Sequence, residues 1–371
     1  MTGKAIFIGP AFPYKGGIAA FNESLASTFQ SKGWECKIFT FSDQYPFASK
    51  DKLTTEDPNP DLSISRGIYS ANPLNWLKIS KEIVKEKPDL LITQYWMPFM
   101  APAFGTILRG VKKELPSVNI ATIVHSFKPD QARIGGNQLN KYLTNRTDHL
   151  VCLSQGVLDQ IKSIAAEKSV AKLFHPVYDH YGDKVNRQVA REKLGWDKNE
   201  KQILFFGEVK PSKGLDMLIE ALGTSQHKNE MRLQVSGQFL ESQKKYEKLI
   251  DKAGISNQIT LSNSYIPNDQ VPLLFCAADV VAMPYKLTTH SGILPLALHF
   301  EVPVIMTSTV EMAAEIRNEK LGYVCDGSSA CLSQAIDDFV TEKYSLSSDY
   351  GAIKKSFSWD SFYDRFLSTV F

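Results

Sequence analysis

A chain of 371 residues exceeds the roughly 250 to 300 at which one hydrophobic core usually stops growing, so two domains are expected. Hydrophobic content of 43%, 22% charged residues and a formal net charge of +2 are ordinary for a globular protein and give no support to a nucleic-acid partner. Cys36, Cys152, Cys276, Cys325 and Cys331 are odd in number and lie mostly inside apolar runs, so they read as reduced core residues and favour a cytoplasmic location.

The opening "MTGKAIFIGP" has too short an apolar run for a secretory signal. No window reaches the roughly 18 apolar residues of a membrane span, so the expectation is a soluble protein, or one peripheral to the cytoplasmic membrane. In chain order, "KAIFIG" (4 to 9), "ECKIFTF" (35 to 41), "DLLITQY" (89 to 95), "NIATIVHS" (119 to 126) and "HLVCLS" (149 to 154) read as buried strands. Between the first two, Ile18, Phe21, Leu25 and Phe29 share one helical face, and the helix stops at Gly33. Strand, helix, strand implies parallel pairing with right-handed crossovers. The polar, proline-bearing loop from Ser42 to Ser63 is long and reads as an active-site loop or a surface excursion. The run "YWMPFMAPAFGTIL" (95 to 108), followed by "RGVKK", reads as a core helix or as an interfacial patch suited to a lipid-linked acceptor.

Residues 176 to 200 are polar and charged and read as the linker. The second half repeats the rhythm with strands at 202 to 207, 231 to 237, 258 to 263, 279 to 284 and 302 to 307. In the tail, Phe357, Phe362, Phe366 and Val370 recur near helical period, so a terminal helix is expected to pack back on the first domain. The expected division is a Rossmann-like domain over 1–177, a second over 178–350 and a returning helix over 351–371. The fold class is α/β, with both domains doubly wound.

Ligands of open parallel sheets bind beyond the carboxyl ends of strands. After the first strand comes "GPAFPYKGGIAAF", where Gly16 and Gly17 open a helix and offer an anion site, or merely a turn that needs glycine. The dinucleotide spacing G-x-G-x-x-G is missing, which argues against a dehydrogenase. His125 stands at the end of the fourth strand, as a catalyst or as a satisfied core residue. "FFGEVKPSKGLD" sets Lys210 and Lys213 after Gly207, as phosphate-binding charges or as part of a solvated loop. "MPYKLTTHSGIL" presents another helix start at Gly292, with the amides of Ile293 and Leu294 expected to point out of it. Two lysines and two helix starts would converge on a cleft that takes a diphosphate with something attached at each end.

At these residues, and at "NPLNW", "HPVYDHYG", "YIPNDQVPLLFCAADVVAMPY" and "EMAAEIRNEKLGYVCD", the chain resembles the GT-B nucleotide-sugar glycosyltransferases of the retaining family 4 type. It is similar to a bacterial subgroup that builds cell-surface polysaccharides. The resemblance implies two Rossmann-like domains facing a central cleft, a nucleotide-sugar donor that is UDP- or GDP-linked, a glycan or lipid-linked acceptor, and no cofactor. By the family's pattern Gly16 and Gly17 would face the donor's diphosphate and sugar, and His125 would reach the donor sugar. Lys213 would neutralise the leaving diphosphate. Ser291, Gly292 and Ile293 would contact the distal phosphate and the sugar, His290 would belong to the donor site, and Ile266 lies where the backbone recognises the base. Two departures stand out. The family's arginine after the loop glycine is Glu208, which makes Lys210 the substitute. Its glutamate pair would fall at Thr289 and Ala297, which leaves Glu315 as the ribose contact. No acidic cluster is placed to hold a metal, so a metal-independent reaction is expected. The rival readings are a sugar-nucleotide 2-epimerase of the same fold and a catalytically silent nucleotide-sugar scaffold.

Overall fold

The computed structural model describes residues 2–46, 53, 59–127, 135–177, 181–287 and 291–371. The chain divides into one unit of Met1–Phe174 with Trp359–Phe371, and a second of His175–Ser358. The first holds seven parallel strands: β1 (Lys4–Ile8), β2 (Glu35–Asp43), β3 (Ile64–Tyr69), β4 (Leu90–Tyr95), β5 (Asn119–Val124), β6 (His149–Cys152) and β7 (Val170–Lys172). Their spatial order is β3-β2-β1-β4-β5-β6-β7, so the winding reverses at β1. The second unit repeats this with β8 (Lys201–Phe206), β9 (Met231–Ser236), β10 (Ile259–Ser262), β11 (Val280–Met283), β12 (Val304–Thr307) and β13 (Gly322–Cys325), in the order β10-β9-β8-β11-β12-β13. Both sheets are of the doubly wound, Rossmann-like kind. β3, β7 and β13 lie outside the strands expected from sequence. β3 buries only one of its six residues fully, and β7 spans three residues, none of them fully buried.

Sequence periodicity locates the first helix, Gly17–Ser31, but its buried face differs in two places. Phe21, Leu25 and Phe29 are buried as expected, Ile18 is half-buried, and the polar Asn22 is fully buried among them. The aromatic tail separates into two helices. Gly351–Ser356 belongs to the second unit and Trp359–Val370 to the first. In the latter, Trp359, Phe362, Tyr363, Phe366 and Val370 are buried. Trp359 and Phe362 set their rings against Phe21 at 5.1 and 5.7 Å, Tyr363 meets Phe29 at 4.9 Å, and the Trp34 indole donates to the Tyr363 hydroxyl. Phe357, expected on the same face, instead packs against the core of the second unit.

Two other expectations change. The helix Ala101–Glu114 buries Ala101, Ala103, Phe104, Ile107, Leu108 and Val111, so residues 101 to 108 of that run supply a core element, while Trp96, Met97 and Pro98 before them are half-buried and Phe99 is exposed. The charged stretch expected as a linker contains the helix Arg187–Leu194, which is part of the second unit. Its Arg191 is 4% exposed, donates from Nε to the Ala277 carbonyl and pairs through Nη2 with Asp279. A buried arginine whose charge is met by a carboxylate belongs to a core despite its polar sequence. Of the loop from Ser42 to Ser63, residues 47–52 and 54–58 lie outside the described residues, while Leu53 forms an isolated bridge with Tyr14. Among the described residues no helix is long and apolar enough to cross a membrane.

Candidate active site

At the carboxyl end of β8, Gly207 turns the chain, and Lys210 leads into a single helical turn over Pro211–Lys213. The Lys213 side chain is carried inward, with its Nζ over the Tyr285 ring at 3.6 Å from the centroid. The residue as a whole is half-buried, and its ammonium is the enclosed end. Burial lowers the Lys213 ammonium to about 8, the like charge of Lys210 adds to the shift, and Glu208 opposes it. A desolvated cation over an aromatic face is held by the ring's quadrupole and is poorly screened from an incoming anion. Lys210 stays nearer the surface, 3.6 Å from the Glu208 carboxylate.

Tyr285 follows β11 and is clamped from several sides. Thr307 and Thr309, at and just beyond the end of β12, both donate to its carbonyl, and Ser291 Oγ donates to its hydroxyl at 3.3 Å. Burial pushes its phenol up to about 12, which keeps the ring a neutral platform at ordinary pH. The lysine loop is tied to the same segment. The Lys286 amide donates to the Ser212 carbonyl, and Lys286 Nζ pairs with Asp216 at 2.6 Å. Gly214, at φ 69°, fits only because it has no Cβ, which would stand 1.9 Å from the Pro284 carbonyl oxygen.

Ser291, 6% exposed, links this lysine platform to the short helix Ile293–His299, because its Oγ also accepts from the Ile293 amide at 3.2 Å. The Ile293 amide is therefore already engaged, whereas the sequence suggested that it would point outward unbonded. Gly292 has ordinary helical angles, φ −73° and ψ −9°, so no left-handed turn requires a glycine there. Ile293 approaches within 3.3 Å of where a Cβ on Gly207 would stand, and with Ile266 it packs on the core that contains Tyr285. Ala297 is fully buried, so this position of the family's glutamate pair is a core site in this chain. Glu315 is exposed near the start of the helix Ala313–Asn318, which follows β12. His290 and Thr289 lie outside the described residues.

In the first unit, Gly16 precedes the helix Gly17–Ser31 at φ 121° and ψ 166° with no side-chain cap. The loop before it is tethered by the Phe12 amide, which donates to Glu23, and by the Ala11 amide, which donates to Thr40. Burial raises the Glu23 carboxyl, against that same Phe12 amide. His125, at the end of β5, is 2% exposed. Its amide donates to the Tyr95 carbonyl, its Nε2 lies 2.7 Å from Gln94 Oε1, and its ring meets Phe21 edge-on at 5.1 Å. Lys213, Ser291 and Ile293 form one cluster in the second unit, and His125 with the Gly16–Gly17 helix forms another in the first. Sequence reasoning missed Tyr285, Gln94 and Asn22. The signals were a tyrosine where the strand gives way to its loop and two amides inside apolar runs.

Among the described residues no three His, Cys, Asp or Glu side chains gather where they could hold a metal ion. The family model described as Glycosyltransferase Family 4 matches residues 15–171, and that described as Glycosyl transferases group 1 matches residues 186–356. The D-inositol 3-phosphate glycosyltransferase of Rhodococcus jostii is 26% identical over 78% of this chain and 68% of its own length. That of Streptomyces avermitilis is 22% identical over 74% of this chain, and the match spans 63% of that relative, just under two thirds. Among solved structures, sucrose-phosphate synthase from Thermosynechococcus elongatus superposes with a TM-score of 0.75 at 14% identity, covering 98% of this chain and 99% of that one. Anabaena HepE in complex with UDP-glucose gives 0.70 at 16% identity and covers 99% of both chains. With a family match on each of two Rossmann-like units, the chain belongs to the GT-B glycosyltransferases of the family 4 type.

Proposed function

We propose that this enzyme moves a sugar from a nucleotide-diphosphate donor, UDP- or GDP-linked, onto a hydroxyl of a glycan or lipid-linked acceptor in the synthesis of cell-surface polysaccharide. The reaction runs in the cytoplasm, in solution or against the inner membrane surface. Breaking the anomeric bond leaves negative charge growing on the diphosphate. The observation that carries the reading is the enclosed Lys213 ammonium over Tyr285 at the carboxyl ends of β8 and β11. A cation fixed in advance in a desolvated place lowers the barrier without reorganising in the reaction, and it does so without a metal. Lys210 adds the second positive charge in place of the family's arginine, and Ser291, Gly292 and Ile293 contact the distal phosphate and sugar. His290 also belongs to the donor site, Ile266 marks the base, and Glu315 holds the ribose.

In the first unit Gly16 and Gly17 serve the diphosphate and sugar, and His125 serves the reacting centre. The sugar keeps its anomeric configuration, the acceptor attacking from the face the diphosphate leaves. No pair of carboxylates stands among these named residues for a double displacement. Anabaena HepE, solved with UDP-glucose, supports a donor of the UDP class.

The test is a panel of UDP, GDP and ADP sugars in EDTA-containing buffer. One donor should raise the melting temperature in proportion to its occupancy and should be turned over with an acceptor, giving a retained product by NMR. Turnover that appears only when Mg²⁺ is restored overturns the metal-free step. An isomerised donor formed without acceptor would mark a 2-epimerase, and binding without turnover on any lipid-linked acceptor would mark a scaffold.

A further inference from the structure

Behind His125 runs a chain of buried amides that the reaction as proposed does not use. Gln94, in β4, and Asn22, in the helix Gly17–Ser31, are both fully buried. His125 Nε2 lies 2.7 Å from Gln94 Oε1, Gln94 Nε2 lies 3.2 Å from Asn22 Oδ1, and Asn22 Nδ2 lies 3.0 Å from the Pro10 carbonyl oxygen. Gly9 makes room for the chain, since a Cβ there would stand 2.9 Å from the Gln94 side chain.

The direction of every bond follows from the last one. A backbone carbonyl only accepts, so the Asn22 atom facing Pro10 must be its NH₂ group. The Asn22 oxygen then faces Gln94 and can only accept, so Gln94 presents its own NH₂ there. That leaves the Gln94 oxygen facing His125, and the nitrogen opposite it must carry a hydrogen. The reverse orientation would set oxygen against oxygen at Pro10, between groups that are fully buried, where an unsatisfied polar atom is costly.

From this geometry we infer that Gln94 and Asn22 are positioning residues that keep a hydrogen on Nε2 of His125, so that whenever the ring is neutral it is the Nε2–H tautomer with Nδ1 as the acceptor nitrogen. Phe21 fixes the ring plane from the side. The assignment of the tautomer stands on the structure alone. Its consequence for turnover rests on the proposed role of His125 at the reacting centre, where the ring acts through Nδ1. A histidine held in the wrong tautomer keeps its place and loses its chemistry.

The experiment joins ring-nitrogen NMR of ¹⁵N-histidine-labelled protein to kinetics, with the His125 signals identified by their absence from His125→Asn. The wild type should show the coupling pattern of Nε2–H at neutral pH, and a pattern of Nδ1–H would overturn the inference with no variant needed. Gln94→Met and Asn22→Leu should release the ring into a mixture of tautomers. With the matched donor they should lower kcat by about 10- to 100-fold, with the donor KM within about twofold, as loss of an orienting partner does. Unchanged tautomer and unchanged kcat in folded Gln94→Met would overturn the inference. Tautomer release without any turnover in the wild type on the donor panel would count against the proposed function alone.

Discussion

Lys213 has two neighbours that act on it in opposite ways. The Tyr285 ring attracts the ammonium, while the burial that brings the two together disfavours its charge and lowers it from 10.5 to about 8. Below about 8 the side chain is charged in the folded and unfolded protein alike, and the folded state bears the penalty of burying that charge. As the pH climbs from about 8 toward 10.5 the folded protein releases the proton first, so the penalty is relieved and this group's contribution to stability rises with pH there. Binding of an anion has the opposite sign, because it needs the proton. Affinity for a nucleoside diphosphate is expected to hold below about 8 and to weaken above it by up to about tenfold per pH unit. Calorimetry across about pH 6.5 to 9.5 would measure this, and in Lys213→Arg the alkaline loss should vanish because a guanidinium stays charged. Gly214→Ala forces a Cβ toward the Pro284 carbonyl at a positive φ. It should lower the urea midpoint by the equivalent of more than about 1 kcal/mol and reduce donor affinity with it. His125 was legible as a candidate because it stands where a strand runs out and Lys213 because it lies in the loop after one, whereas Ser291 was named only through the family resemblance. Tyr285 was not legible, since an aromatic after a buried strand reads as core until a cation is seen lying on it.

The strands of the two sheets were legible where they carry a continuous apolar run, as in "LLI" of β4 and "ILFF" of β8. β3 and β7 stand at opposite edges of the first sheet and β13 at one edge of the second, where fewer neighbours demand apolar side chains and the sequence signal weakens. The last helix shows how far periodicity reaches. It located Phe362, Phe366 and Val370 on one face, but it extended that face back to Phe357, across the break at Ser358 where the chain passes between units. Phe366 is fully buried and meets the Phe29 ring at 6.0 Å. Phe366→Ala should cost about 3 to 5 kcal/mol, seen as a lower denaturation midpoint with the first unit's tryptophan fluorescence as the reporter. An unchanged midpoint would mean that the helix contributes little to the unit it covers.

At the scale of the molecule, two units of similar size each close a parallel sheet around its own core, and each carries its own candidate residues. The second unit holds a fixed cation and the first an oriented imidazole. Hydrogen exchange should separate their roles. A bound nucleoside diphosphate is expected to protect amides of 207–214 and 283–287, the segments that hold Lys213 and Tyr285, before it affects any other part of the second unit. Protection confined to other loops would move the donor site elsewhere. The enclosed ammonium of Lys213 is expected to take up the charge of the departing diphosphate. Single-turnover kinetics of Lys213→Ala with the matched donor and acceptor test it most directly. The chemical step should slow by about 10²-fold or more, comparable to losing one oxyanion-hole donor, and a near-normal rate with saturating donor would mean that Lys213 does not carry that charge.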